Sequence, residues 1–147
     1  MRNAGSHFDF DLDLAVEQSN DNPVFYVQYA HARICSIIRL LSEEGNSVKP
    51  ASEVDFTLLK EEAELDLIRK LGELPDEIQI AAETLEPSKL TRYSMELATA
   101  FHSFYNACRV NIEDKCLMNA RLKLIDSVRI TLANVLRLLA VNAPEKM

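Results

Sequence analysis

Between Lys115 and Leu139 apolar side chains return at every third or fourth position along two neighbouring stripes. Leu117, Leu124, Val128, Leu132, Val135 and Leu139 form one; Met118, Leu122, Ile125 and Leu136 lie beside it. A helix apolar on two sides must be covered on two sides, so it belongs in the middle of a bundle rather than on its rim. Asp114 stands where a side chain can cap its first turn. The rest of the chain agrees. It has three glycines, no tryptophan and few β-branched runs, which disfavours a sheet-rich fold.

Four further helices are predicted. The first opens at Asn20-Asp21-Asn22-Pro23, with Asp21 or Asn22 as cap and Pro23 where a missing amide costs nothing, and runs to about Glu44 before Gly45-Asn46. Val27, Ala30, Ile34, Ile37 and Leu41 form its core stripe. Phe56, Leu59, Leu65, Leu67, Ile68 and Leu71 mark a second helix ending at Gly72, with Glu61, Glu62, Glu64 and Asp66 on a solvated outer face. Leu74-Pro75 opens a third, with Ile78, Ile80, Ala81 and Leu85. A fourth spans about Ser88 to Arg109 and buries Leu90, Leu97, Phe101, Phe104 and Cys108. The fold class is therefore all-α, a single bundle of about five helices, at a length usual for one domain. Residues 1–20 read as an extended entry followed by a short helical turn, and residues 21–147 as the helical domain.

The formal net charge of −7 speaks superficially against nucleic acid. Its distribution says otherwise: residues 1–49 carry −3, residues 50–86 carry −8, and residues 87–147 carry +4. Individual arginines therefore decide, not the total. No apolar run approaches the ~20 residues that cross a bilayer. Cys35, Cys108 and Cys116 have neither disulfide-framework nor zinc spacing, which fits a reducing, cytoplasmic compartment.

Catalytic signatures are missing from the sequence. There is no phosphate-cradling G-x-x-x-x-G-K-[ST], no G-x-G-x-x-G, no H-E-x-x-H and no G-x-S-x-G. His31 and Cys35, four apart on one helix, are spaced as a base and a thiol nucleophile, but no third group orients them and core packing accounts for both.

Two places break the rule of apolar inside and charge outside. At 100° per residue, Tyr29 falls about −60° and Arg33 about −20° from Tyr26, a strip some 80–100° around the helix from the core stripe. On the fourth helix Tyr105 stands about 80° from its apolar centre, with His102 and Arg109 on its side. Half-exposed rings beside guanidinium groups suit an unpaired base, which stacks on one and bonds the other. The same pattern fits amphipathic boundary tyrosines with their hydroxyls in water. It also fits a protein–protein interaction module with no RNA role.

At these residues the sequence resembles a known family. His7-Phe8-Asp9-Phe10-Asp11-Leu12-Asp13-Leu14-Ala15, then Asn20 to Arg33 with its Tyr26-Val27-Gln28-Tyr29-Ala30-His31-Ala32-Arg33 block, is similar to the bacterial-type arginyl-tRNA synthetases. So are Leu85-Glu86-Pro87-Ser88, Thr91-Arg92-Tyr93, Phe101-His102-Ser103-Phe104-Tyr105-Asn106 and Ala143-Pro144-Glu145-Lys146-Met147. The resemblance covers essentially the whole chain. It implies the carboxyl-terminal anticodon-binding domain of D-A-L-R type, preceded by a linker from a catalytic domain.

That domain recognises, in tRNA(Arg), an anticodon whose middle base is cytosine. Carried over by motif, Tyr26, Tyr29, Arg33, Arg39, Tyr105 and Met147 would meet the anticodon loop; Arg39 and Met147 rest on the resemblance alone. The H-I-G-H-type and K-M-S-K-S-type ATP signatures do not occur. The resemblance thus implies no cofactor for this chain, with ATP and Mg handled by the catalytic domain of the same polypeptide, and no DNA or membrane partner. This chain alone is expected to be inactive as an enzyme. One departure stands out: Leu138-Leu139-Ala140 replaces the family's usual Leu-Leu-Gly, which removes the easy left-handed helix stop and is expected to affect the path of the tail.

Overall fold

The computed structural model describes residues 22–147; the linker reading of residues 1–20, the Phe8 to Leu14 motif and Asp21 lie outside the described residues. Among the described residues five α-helices follow one another: α1 (Pro23–Glu43), α2 (Glu62–Gly72), α3 (Leu74–Thr84), α4 (Ser88–Ala107) and α5 (Lys115–Leu138). Helix α5 packs on α1, α4 and α2, while α4 also supports α1, α2 and α3. The two-sided stripe of α5 is accordingly buried, including Leu122, Leu124, Ile125, Val128, Leu132, Val135 and Leu136. Each such side chain contributes roughly 1.5–3 kcal/mol on leaving water. No helix among the described residues is long and apolar enough to cross a membrane.

The starts of α1 and α5 follow the sequence. Asn22 caps α1, its side chain accepting from the Val24 and Phe25 amides at 3.0 and 3.4 Å. Asp114 caps α5 through the Cys116 and Leu117 amides at 2.9 and 3.2 Å.

The second helix departs from expectation. Phe56–Leu58 is a 3-10 turn, and α2 begins only at Glu62. The cause is Glu64, which was expected on a solvated face and is instead fully buried, at 0% exposure. Its Oε2 accepts from the Lys60 and Glu61 amides at 2.8 and 2.9 Å, which fixes the helix start. Its Oε1 accepts from Arg121 Nε of α5 at 2.6 Å. Arg121 also donates through Nη1 to the Arg109 carbonyl at 2.8 Å, so one buried guanidinium ties α2, α5 and the turn after α4 together. Leu59, ahead of the helix, is still buried. On α3 only Ala81 is buried; Ile78 and Ile80 are exposed, and Leu85 is 85% exposed.

Among the described residues three helices end in the same left-handed stop, and one of the three uses glycine. Gly45 (φ 84°) follows α1, Leu85 (φ 56°) follows α3, and Ala140 (φ 57°) follows α5. Each is closed by the next residue's amide reaching back a full turn: Asn46 to Leu41 O, Glu86 to Ala81 O, Val141 to Leu136 O, at 2.8 to 3.0 Å. Ala140 therefore keeps the stop that its side chain disfavours, at a cost of about 1 kcal/mol. The tail leaves α5 by the turn a glycine would give.

Candidate nucleic-acid interface

Helices α1 and α4 lie side by side, and their shared margin collects the residues singled out by spacing. Tyr26, Tyr29 and Arg33 are half-buried on α1; His102 and Tyr105 are half-buried on α4. Tyr26 bridges to α4 through its hydroxyl, 3.3 Å from Thr99 Oγ1. Thr99 donates its own proton to the Met95 carbonyl at 2.9 Å, so Tyr26 is the donor. The His102 ring lies 5.1 Å from the Tyr26 ring and 6.2 Å from Tyr29, and Phe25 stacks on Tyr29 at 6.3 Å with planes 11° apart.

The Arg33 guanidinium sits over Tyr105, its Cζ 4.2 Å from the ring centroid, and 5.9 Å from that of Tyr29. A cation on a ring face gains about 0.5–1 kcal/mol at an exposed site, enough to orient it without neutralising it. Among the described residues no carboxylate stands within ion-pairing distance of Arg33.

Burial, and then the nearby Arg33 charge, hold the His102 imidazole below its ordinary pKa of 6.5, so it is neutral at pH 7. Its Nε2 is buried with no hydrogen-bond partner among the described residues. Phe25, Tyr26, Tyr29, Arg33, His102 and Asn106 line an open cleft of about 330 Å³. Across the Arg33–Tyr105 pair, Tyr105 and Asn106 join Ile37, Leu40, Leu41 and Arg109 around a second, more apolar cleft of about 520 Å³.

Arg39 and Met147 stand apart from this group. Arg39 is six residues beyond Arg33, about 120° around α1, and its Nη2 donates to Ser36 Oγ at 3.4 Å. Its charge, like those of Arg129 and Glu145, acts on Cys35. Met147 is 55% exposed at the end of the tail that carries Glu145. The structure thus brings Tyr26, Tyr29, Arg33 and Tyr105 together and sets Arg39 on another side of α1.

Phe25, His102 and Asn106 were not among the expected site residues. The i, i+4 spacing of Phe25 and Tyr29, and the side that His102 shares with Tyr105, were the available signals. The fourth tyrosine, Tyr93, is of another kind: it is buried and donates to the Lys70 carbonyl at 3.0 Å, closing the end of α2.

The Cys35 thiol is not activated. Burial raises its pKa above the ordinary 9.0, and His31, 3.8 Å away, is engaged elsewhere through Nδ1. Among the described residues no three His, Cys, Asp or Glu side chains are grouped to hold a metal ion.

Fold and margin together define a class: a helical domain with rings along one edge and, there, a cation without an acidic partner among the described residues. The chain belongs to the DALR anticodon binding domain family, which matches residues 27–147. It is 62% identical to the arginine–tRNA ligase of Ruminiclostridium cellulolyticum over 144 residues, which are 98% of this chain and 26% of that relative. Among solved structures, the Thermus thermophilus arginyl-tRNA synthetase superposes with a TM-score of 0.74 at 31% identity, over 95% of this chain and 23% of that one. A Campylobacter jejuni chain described as an arginyl-tRNA synthetase gives 0.85 at 26% identity, over 99% of this chain and 31% of that one. The chain spans about a quarter of the length of the curated relatives it matches.

Proposed function

We propose that this chain binds the anticodon loop of tRNA(Arg), as the anticodon-recognising part of an arginine–tRNA ligase. The observation that carries the reading is the Arg33 guanidinium held 4.2 Å over Tyr105 and left without an acidic partner among the described residues. Loop bases leave their stack and lie against Tyr26, Tyr29 or Tyr105, while Arg33 meets a base edge or a phosphate. Arg39 and Met147 act from the neighbouring flank on the same loop.

In this reading residues 1–20 are the linker and residues 21–147 the binding domain. Activation of arginine with ATP and magnesium belongs to the catalytic domain of the whole ligase, which works in the cytoplasm. The chain alone gives no ATP–pyrophosphate exchange.

The test is binding to tRNA(Arg) with cytosine or guanine at the middle anticodon position. The expected outcome is at least tenfold preference for cytosine, with an affinity that falls with salt at a log–log slope near −0.7 per phosphate contacted. Equal affinity for the two tRNAs overturns the reading and favours a protein-docking role for the same rings.

A further inference from the structure

His31 lies between Tyr29 and Arg33 in sequence but is 3% exposed, turned away from the rings. Its Nδ1 is 2.9 Å from the carbonyl oxygen of Pro144, at the far end of the chain. A carbonyl can only accept, so Nδ1 carries the proton in this bond, while Cys35 Sγ lies beside the ring at 3.8 and 3.9 Å from its two nitrogens. One turn earlier on α1, Gln28 Nε2 donates to the Asn142 carbonyl at 2.8 Å. Two carbonyls two residues apart on the tail are thus held by two side chains three apart on one helix. Between them Ala143 packs against the core.

The order of these contacts sets a direction. From Gln28 to His31, α1 runs toward Cys35 and Arg39; from Asn142 to Pro144 the tail runs the same way. Glu145 follows directly on the clamped Pro144 and leads to Met147. Upstream, α5 ends in the left-handed turn at Ala140, two residues before the tail meets Gln28.

We infer that Gln28 and His31 are positioning residues, a clamp that seats residues 142–144 along α1 and fixes the path of the tail that ends at Met147. The tail is ordered before any RNA arrives, so its ordering entropy is not charged to binding. The clamp is read without reference to RNA; only its effect on Met147 rests on the function proposed above.

Backbone ¹⁵N relaxation of the free chain tests the clamp. The wild type is expected to give order parameters near ~0.85 at Ala143 and Glu145, falling below ~0.6 in His31→Ala. His31→Asn, whose amide keeps a donor near the Nδ1 position, is expected to retain most of the order, and Gln28→Ala to loosen the tail with α1 intact. Unchanged tail order in both alanine variants overturns the clamp.

Affinity for a tRNA(Arg) anticodon stem-loop tests the positioning. His31→Ala should weaken binding roughly fivefold, the loss of one ordinary hydrogen bond, in the wild-type background and not in Met147→Ala. An equal loss in both backgrounds overturns action through Met147. If the wild type does not bind the stem-loop, the RNA reading and the positioning role fall together, and the relaxation data still decide the clamp.

Discussion

Arg121 and Arg33 carry the same side chain in opposite settings. At the α2–α5 junction Arg121 is buried, neutralised by Glu64 and bonded to a backbone carbonyl. On the α1–α4 margin Arg33 is half-buried, held by ring faces and left charged. The first setting uses up the guanidinium within the fold. The second orients it and leaves its donors for something else. Binding capacity in this molecule is therefore a matter of which cations the fold neutralises, and a count of basic residues misses it.

The largest expected effect breaks the buried side of the comparison. Arg121→Met leaves Glu64 buried without its partner and should destabilise the chain by about 3–5 kcal/mol in urea unfolding. Adding Glu64→Met should recover most of that loss. If Arg121→Met costs less than about 1 kcal/mol, the junction does not depend on the pair.

On the margin the effects should reverse. Tyr105→Ala is expected to weaken tRNA(Arg) binding by about 1–3 kcal/mol, the scale of one stacked base, in a filter-binding titration. Arg33→Met should lose roughly tenfold in affinity while its unfolding free energy stays within about 0.5 kcal/mol of the wild type. A large stability loss in Arg33→Met would make it a second Arg121.

Smaller effects sharpen the picture. Ala140→Gly relieves a left-handed backbone at a helix end and should raise stability by up to about 1 kcal/mol in thermal unfolding. His102 gives the smallest. Its folded-state pKa is depressed, so the unfolded chain binds the proton more readily, and stability is full above the ordinary value of 6.5 and declines as pH falls below it. His102→Phe should flatten that part of a urea-midpoint-against-pH profile.

The helical architecture was legible because periodicity and caps act locally: Asn22, Gly45 and Asp114 do what their types suggest. The ring strip was legible for the same reason, since Tyr26, Tyr29 and Arg33 share a face by arithmetic alone. Glu64 was not. Its neighbours Glu61, Glu62 and Asp66 are exposed acids, and only the distant Arg121 distinguishes it. Nor was His31, whose spacing to Cys35 suggested a dyad, while its real partner lies 113 residues away in sequence. Long-range partners of polar groups leave no periodic trace.

One stretch of α1, from Gln28 to Arg33, serves two masters. A substitution there disturbs one of the two roles, whereas a change in length disturbs both. An extra residue between Ala30 and His31 would rotate everything beyond it by about 100°. The imidazole would swing off the tail and the guanidinium off its ring in the same event, so over this stretch insertions and deletions should be far rarer among functional variants than replacements.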